Sequence, residues 1–330
     1  MAFFIPNQFM KSTRLFFLFT VIAASTFSAG AAALFPVVVD GHWGFADKAG
    51  KVVTSPQFER ADVFAEGLAA VELGHRWGFV DGSGKITVNP QFDKAADFSG
   101  GLAAVALGSR YGYIGTDGKY MVNPQFDDAG PFAQGRAAVK LDHHWGYVDT
   151  TGKLAVNPQF DEAGAFSEGL AAVALGKLYG FTDASGKIAI NPQFEKANAF
   201  SGGLAAVRLN KVWGFIDTTG KIIINPQFED VGAFVKGLAP ARIAKRWGFI
   251  DATGHFVVNP QFDDAAAFSE GQARVQLAKR WGFVDKTGIF SINPQFDEAK
   301  DFQYGLAQVK IGRQIGYVDA AGKYVWNPAK

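Results

Sequence analysis

The chain repeats itself every 34 residues. An aromatic residue followed by glycine recurs at this spacing from Trp43 to Trp281, Ile315 takes the aromatic place in the last copy, and no copy carries an insertion or a deletion. A fixed period of this length indicates a repeat architecture, in which each unit buries its apolar face only against its neighbours. We therefore expect these aromatic residues to form the structural core of the repeats: Trp43, Trp77, Tyr111, Trp145, Tyr179, Trp213, Trp247 and Trp281.

Each repeat predicts three short antiparallel strands. Residues 77–81 alternate in the period of a strand, and a Gly-rich turn separates them from residues 85–88, which are apolar and β-branched. Asn89-Pro90 should close this second strand, because proline donates no ladder hydrogen bond. The Ala-rich stretch that follows is too short for a stable helix and predicts one helical turn or a folded loop. Residues 101–107 form the third strand, and the glycine after each aromatic residue should permit close approach between neighbouring units.

The ends of the array bear on whether it closes. Residues 36–39 occupy the third-strand place ahead of Trp43, and the chain ends after the second-strand residues 324–328. We expect an all-β single array over 37–330, with eight full repeats and a split ninth. An open or spiralling β-solenoid is favoured, because nine blades exceed the usual four to eight of a propeller and three strands per unit are fewer than four. The alternative is a closed, propeller-like ring in which both termini share the last unit.

The N-terminus has the features of a signal peptide. Lys11 and Arg14 precede an apolar run over residues 15–27, and small residues follow. We expect residues 1–31 to be removed by cleavage at about 31–33, leaving no transmembrane segment. The protein should then be exported, to the periplasm or to the extracellular cell surface. The absence of cysteine is compatible with such a compartment and excludes a disulfide framework and Cys-based metal sites.

These motifs resemble the WG-repeat family, which takes its name from the Trp-Gly pair. The resemblance runs from Val37 to the C-terminus and includes Gly-Lys turns such as Gly152-Lys153 and Asn-Pro-Gln-Phe runs such as residues 157–160. Gly115, in the place of the strand aspartate, is one departure from the pattern. The resemblance implies a mostly bacterial, often exported protein that acts in binding and scaffolding. It supplies no catalytic residues.

Cations recur in the loop before each aromatic-Gly pair. Stacked units would present them as a rim able to bind acidic glycans, lipid headgroups or an acidic protein face. Alternatively, they only keep the turns soluble and pair with nearby acids. The candidate binding residues are Arg76, Arg110, Lys177, Lys211, Lys245, Arg246, Lys279 and Arg280.

A carboxylate follows the Phe of each Asn-Pro-Gln-Phe run. Such a ladder suggests Ca²⁺ ligation or glycosidase chemistry, but an enzyme needs one asymmetric constellation, and capping of the following turn explains every copy. Histidines such as His143 and His144 lie in loops, and a metal site there would need ligands converging from other units. We expect no catalytic residues, metal or cofactor. The ladder residues are Glu59, Asp93, Asp127, Asp161, Glu195, Glu229, Asp263 and Asp297.

The sequence thus favours an exported, non-catalytic repeat scaffold that presents an extended surface to a protein partner. A cell-envelope polysaccharide is the alternative ligand, and a self-assembling structural protein is the alternative class. The formal net charge is +1, so the protein lacks the large positive electrostatic field that is typical of a nucleic-acid binder.

Overall fold

The structure is a computed structural model and describes residues 34–327. The predicted signal peptide and its cleavage site lie outside the described residues. Residues 34–327 form nine antiparallel sheets, each contiguous in sequence, and we call these blades 1 to 9. Blades 2 to 9 each have four strands, called A, B, C and D in chain order, and the described part of blade 1 has strands B, C and D. No helix long and apolar enough to cross a membrane occurs in this part of the chain.

The strand bounds follow the chain blade by blade. Blade 1 has β1 Leu34–Val39, β2 His42–Asp47 and β3 Val52–Phe58. Blade 2 has β4 Arg60–Ala61, β5 Leu68–Leu73, β6 Arg76–Asp81 and β7 Ile86–Phe92. Blade 3 has β8 Lys94–Ala95, β9 Leu102–Leu107, β10 Arg110–Gly115 and β11 Tyr120–Phe126. Blade 4 has β12 Asp128–Ala133, β13 Arg136–Leu141, β14 His144–Asp149 and β15 Leu154–Phe160. Blade 5 has β16 Glu162–Ala163, β17 Leu170–Leu175, β18 Leu178–Asp183 and β19 Ile188–Phe194. Blade 6 has β20 Lys196–Ala197, β21 Ala205–Leu209, β22 Val212–Ile216 and β23 Ile222–Phe228. Blade 7 has β24 Asp230–Val231, β25 Leu238–Ile243, β26 Arg246–Asp251 and β27 Phe256–Phe262. Blade 8 has β28 Asp264–Ala265, β29 Ala273–Leu277, β30 Arg280–Val284 and β31 Phe290–Phe296. Blade 9 has β32 Glu298–Ala299, β33 Leu306–Ile311, β34 Gln314–Asp319 and β35 Tyr324–Trp326.

Strand A was not predicted from the sequence, which gave a helical turn or a folded loop in its place. Its regular part is only two residues long in most blades, but its backbone remains paired with strand B beyond that part. The amide of Asp62 donates to the carbonyl of Ala70 at 2.9 Å, and the amide of Ala65 donates to the carbonyl of Leu68 at 2.9 Å. The Ala-rich stretch is therefore an irregular fourth strand, and the blade has the usual number of strands for a propeller.

Strand D runs through the proline that was expected to end it. In blade 2, Trp77 pairs with Phe92 and Phe79 pairs with Val88, so that a bulge in strand D carries residues 89–91 past Gly78. A Cβ on Gly78 would lie 2.4 Å from the carbonyl oxygen of Val88. The close approach that requires this glycine is therefore made to strand D of its own blade, whereas the sequence analysis assigned it to a neighbouring unit.

The turn between strands C and D has the geometry that its sequence predicts. The Asp81 carboxylate accepts hydrogen bonds from the Ser83 hydroxyl at 2.6 Å and from the amides of Ser83 and Lys85 at 2.9 and 3.1 Å. These bonds, the Ser83 hydroxyl first among them, lower the pKa of Asp81. Gly84 takes a φ of +83°, which glycine adopts without strain.

The core lies between blades. Nine clusters of buried apolar side chains occupy the nine contacts between neighbouring blades. At each of eight contacts an aromatic ring on strand C faces a Phe on strand A of the next blade, as Phe79 faces Phe98 with ring centroids 4.8 Å apart. Each blade thus buries one face against its predecessor and the other against its successor.

The ninth cluster closes the array into a ring, so the predicted open or spiralling solenoid is wrong. Val37 and Ala46 of blade 1 pack against Leu306 and Tyr317 of blade 9. The Tyr317 hydroxyl donates to the carbonyl of Pro36 at 2.7 Å. The protein is a nine-bladed β-propeller ring, as the alternative prediction stated. Nine blades are more than the usual four to eight, which argued against closure from the sequence. In the structure the rotation between neighbouring blades closes the ring at nine.

Within residues 34–327 no blade combines strands from the two ends of the chain. The sequence repeat was counted from the aromatic-Gly pair, and this choice divides one unit between the two ends of the chain. In the structure each blade begins one strand earlier in the repeat, so that blade 1 consists of N-terminal strands and blade 9 of C-terminal strands. Closure therefore depends on the contacts between blade 9, with four strands, and blade 1, with three described strands.

Candidate functional site

The antiparallel order of the strands divides the loops between the two faces of the ring. Turns between strands A and B and between C and D lie on one face. Turns between B and C, and the links from strand D to strand A of the next blade, lie on the other face, which we call the B–C face. The predicted cations and the predicted carboxylate ladder both belong to these turns and links, so the fold brings the two sets together.

In blades 1, 2, 4, 6, 7 and 8 the B–C turn holds two residues in the left-handed region of φ, and in blades 3, 5 and 9 it holds one, a glycine. In blade 6 these are Asn210 and Lys211, with φ of +50° and +68°, and in blade 7 they are Ala244 and Lys245, with φ of +49° and +63°. Such two-residue hairpin turns favour Gly and Asn. Ala and Lys adopt this conformation at a cost of about 1–2 kcal/mol per residue. The turns of blades 6 and 7 therefore hold lysine at a position where backbone preference alone would select glycine.

The ladder carboxylates cap B–C turns, although not the turns adjacent to them in sequence. The amide of Gly108 donates to Asp93 at 2.6 Å, and the amide of Gly176 donates to Asp161 at the same distance. In both pairs the turn lies 15 residues beyond the carboxylate, in the blade that the link leads to. These carboxylates therefore hold the rim together.

Four arginines of the predicted cationic rim are paired with ladder carboxylates. The Arg76 guanidinium lies 2.5 Å from the Asp93 carboxylate, so that Asp93 joins strand C of blade 2 to the B–C turn of blade 3. Because these side chains are about half exposed, each pair contributes little to stability. Pairing nevertheless neutralises the arginines as a binding surface. The other three pairs are Arg110–Asp127, Arg246–Asp263 and Arg280–Asp297.

The lysines of the rim are exposed and form no ion pair with any described residue. They are the second turn residues of blades 5 to 8, and we call them the lysine arc: Lys177, Lys211, Lys245 and Lys279. Blades 2, 3 and 4 carry His75, Ser109 and His143 at the same place. Blade 9 carries Arg313 at this place, which is also exposed and forms no ion pair with a described residue. The B–C face is thus asymmetric, with unpaired positive charge over five consecutive blades, as lysine in blades 5 to 8 and as arginine in blade 9.

Apolar side chains lie beside these lysines. The last residue of strand B is an exposed Leu or Ile in blades 2, 3, 5, 7, 8 and 9. Within the arc these are Leu175, Ile243 and Leu277, with 39%, 37% and 36% of the residue exposed. The lysine arc therefore alternates with apolar contacts around the face. Exposed leucines next to unpaired cations are suited to a partner that has apolar groups as well as acids.

The predicted core aromatics lie behind the rim. Trp213 and Trp247 are buried, and the others of that set are half-buried. Several carry a cation over the ring, as Arg274 lies 5.0 Å from the Trp281 centroid. Among the large aromatic residues in 34–327, Tyr120 on strand D is the most exposed, at 38%. The B–C face therefore presents no row of open aromatic rings.

Strand A lines the centre of the ring. Asp97 of blade 3 interacts electrostatically with Tyr304 of blade 9, although blades 1 and 2 lie between them along the ring. Burial within the surrounding wall, and then the charge of Asp62, raise the pKa of Asp97 to about 6. Burial raises the pKa of Asp62 as well, and the nearby charge of Lys300 opposes this rise. Both carboxylates are exposed to solvent, and solvent screens part of these shifts in pKa.

Asp97→Asn is expected to stabilise the protein at pH 7. A carboxyl whose pKa is higher in the folded than in the unfolded state reduces stability above the folded pKa, and that loss disappears as the pH falls from about 6 towards the unfolded value of about 3.9. We expect a gain of at most about 1 kcal/mol at pH 7, after allowance for screening by solvent, and none at pH 4. Urea unfolding at both pH values measures this, and an equal gain at pH 4 would contradict it.

Comparisons with known proteins find a solved structure of similar fold, a more distant match and a family model. Among solved structures, a eukaryotic initiation factor is similar with a TM-score of 0.64 at 11% identity, over 89% of this chain and 95% of that one. AztD of Citrobacter koseri gives a TM-score of 0.46 at 12% identity, over 88% of this chain and 92% of that one. At these identities the likeness concerns the fold alone. A comparison with curated proteins finds no match. The family model described as WG containing repeat matches residues 43–74, 77–111, 111–142, 145–179, 179–213, 213–246, 247–280 and 281–313.

Proposed function

The chain belongs to the family of proteins built from WG-containing repeats, and from this premise we propose that it is a non-catalytic scaffold that binds an acidic protein on its B–C face. The observation that carries the proposal is the lysine arc. Its four ammonium groups occupy equivalent turns in four consecutive blades, and none is paired with a described carboxylate. A ring holds such groups at a constant spacing, so a partner meets a fixed row of charges without having to order it.

The apolar side chains between the lysines favour a protein over a polysaccharide. Leu175, Ile243 and Leu277 would bury apolar area against a partner, while the lysines select acidic side chains and speed association. A surface for neutral sugars would need open aromatic rings on which they stack, and an acidic polysaccharide would contact the lysines but offer little apolar area to these side chains. The tryptophans of this ring are buried or half-buried behind the rim.

The structural role of the ladder carboxylates supports a non-catalytic protein. Asp93, Asp161 and Asp297 each hold the turn glycine of the next blade, at 2.6 Å in every case. Groups engaged in the same structural bond in blade after blade do not form the single asymmetric constellation that catalysis requires. Assembly through the ends of an open array loses its basis as well, because the closed ring has no ends.

We infer further that the protein works outside the cytoplasm. The basic residues and apolar run before residue 31 are those of a signal peptide, and a chain without cysteine needs no control of thiol oxidation in that compartment. The partner would accordingly be an acidic protein of the periplasm or cell surface.

The test compares two charge-reversal variants with equal changes in charge. One variant carries Glu at all four positions of the lysine arc. The control carries Glu at four lysines of C–D turns on the opposite face: Lys85, Lys153, Lys187 and Lys221. The probe is a fluorescein-labelled peptide of alternating Glu and Leu, and anisotropy measures its binding at low and physiological salt.

We expect the arc variant to bind the peptide about 30- to 200-fold more weakly than the wild type. Four exposed charge contacts, each worth about 0.5–0.8 kcal/mol, give this factor. The control variant should bind as the wild type does. Equal loss in both variants would indicate nonspecific attraction, and binding of polygalacturonate in preference to the peptide would favour the polysaccharide alternative.

A further inference from the structure

Blade 2 carries a cluster on the B–C face that no other described blade carries. Ligand atoms of Glu59, Glu72 and His75 all lie within 4.8 Å of one another. They come from three places in the sequence, namely the link from strand D to strand A, strand B, and the B–C turn. The fold therefore assembles two carboxylates and one imidazole that sequence spacing alone does not bring together.

Equivalent positions in other blades show what is unusual about this cluster. In blades 6 and 7 the place of Glu72 is taken by Arg208 and Arg242, which lie 3.7 and 3.3 Å from the ladder carboxylates Glu195 and Glu229. In blade 2 a glutamate replaces this arginine beside Glu59. Two carboxylates thus stand where blades 6 and 7 have a carboxylate and its counter-charge, and a cation bound between the two would relieve their mutual repulsion.

Two backbone amides hold the Glu59 carboxylate in place before any ion arrives, whereas the His75 side chain is 92% exposed. The two carboxylate oxygens of Glu59 accept the amides of Gly74 at 3.0 Å and His75 at 3.2 Å. Each oxygen keeps a second lone pair for a further partner. The His75 Nδ1 atom lies 3.1 Å from Glu59 Oε2, and the Glu72 side chain is only 15% exposed. Arg60 contacts Glu72 Oε2 at 3.3 Å from a side chain that is 71% exposed, so an ion bound by Glu72 would displace a weak surface ion pair.

We propose that Glu59, Glu72 and His75 bind a divalent transition-metal ion of the zinc type. One imidazole nitrogen with carboxylate oxygens is a donor set that Zn²⁺ accepts, at about 2.0–2.2 Å from each atom. Three atoms at that distance from one ion are at most about 4.4 Å apart, so the cluster closes on an ion with a small movement. Ca²⁺ prefers oxygen ligands alone and should bind poorly. The proposal does not depend on the lysine arc.

Isothermal titration of the untagged protein with zinc chloride tests the site. We expect one ion per chain, and at least about a 100-fold loss of affinity in His75→Ala and in Glu72→Gln, because losing a ligand costs more than losing its hydrogen-bond partner. Glu72→Arg recreates the pair of blades 6 and 7 and should abolish binding while the circular dichroism spectrum stays that of the wild type.

The matched control is His143→Ala. His143 occupies the same turn position in blade 4, where Asp127 and Lys140 stand in the places of Glu59 and Glu72. A lysine in that place removes the second carboxylate, so this variant should bind zinc as the wild type does. Absence of zinc binding, binding unchanged by His75→Ala, or equal affinity for calcium would each overturn the proposal.

Discussion

Replacing Gly214 by alanine is expected to destabilise the protein by more than about 3 kcal/mol. Gly214 follows Trp213 on strand C of blade 6, and strand D bulges across it. An alanine Cβ would lie 2.5 Å from the Ile224 carbonyl oxygen and 2.6 Å from the Pro226 nitrogen. Both are backbone atoms of a paired strand, so neither moves without breaking the bulge. The Trp-Gly pair and the Asn-Pro-Gln run that define the repeat are thus two sides of one contact.

The control for this substitution is Gly82→Ala. Gly82 lies in the C–D turn of blade 2, and an added Cβ there meets nothing within 4 Å. Other blades carry Ala184 and Thr218 at the same position. Loss of a glycine's freedom in the unfolded chain should leave stability unchanged or raise it by up to about 1 kcal/mol. Urea unfolding of the two variants compares them, and similar midpoints would contradict the steric explanation of the repeat glycine.

The second large effect is expected at the closing contact of the ring. Tyr317→Ala removes a ring that lies 4.4 Å from Phe35 and a hydroxyl that donates to Pro36 of blade 1. Tyr113 plays the same part inside the array, where its ring lies 4.8 Å from Phe132 and its hydroxyl donates to Gly130 of the next blade. Each truncation should cost about 3–5 kcal/mol, because each removes a buried aromatic side chain.

Comparison of Tyr317→Ala with Tyr113→Ala separates closure from ordinary packing. In a closed ring both tyrosines join neighbouring blades, so the two variants should lose similar stability. In an open array Tyr317 would lie at a free end with no blade 1 beside it. A loss at Tyr317 that is less than half the loss at Tyr113, measured by urea unfolding, would therefore argue against the ring.

Local chemistry could be read from the sequence, but closure could not. The alternation of residues 77–81 and the Asp-to-Gly turn after them each specify a short-range structure that a single repeat determines. Strand A escaped prediction because its residues 59–65 follow no strand period and pair with strand B through an irregular backbone. Ring closure depends on the small rotation between neighbours, summed nine times, and no single repeat reveals that sum.

The candidate site shows the same division. The cationic rim and the carboxylate ladder were visible as repeated residue types, and their placement on one face follows from the order of the strands. Which cations remain unpaired was not visible, because the partner of Arg76 is Asp93, 17 residues later. The Glu59, Glu72 and His75 cluster was not predicted. In other repeats the residues equivalent to Glu59 and His75 are a ladder carboxylate and a solvated turn residue, so neither one indicated a metal site.

Closure of the ring by contact of blade 9 with blade 1 is the central claim, and one distance measurement tests it. Lys48 and Gln303 line the same crevice between these blades, and both are exposed. The chain has no cysteine, so Lys48→Cys and Gln303→Cys together allow a single pair of spin labels. The ring predicts one short distance by pulsed electron resonance, of the order of the label arms. Nine blades stacked in an open array at about 10 Å per step would separate the labels by about 80 Å, and that result would contradict the closed ring.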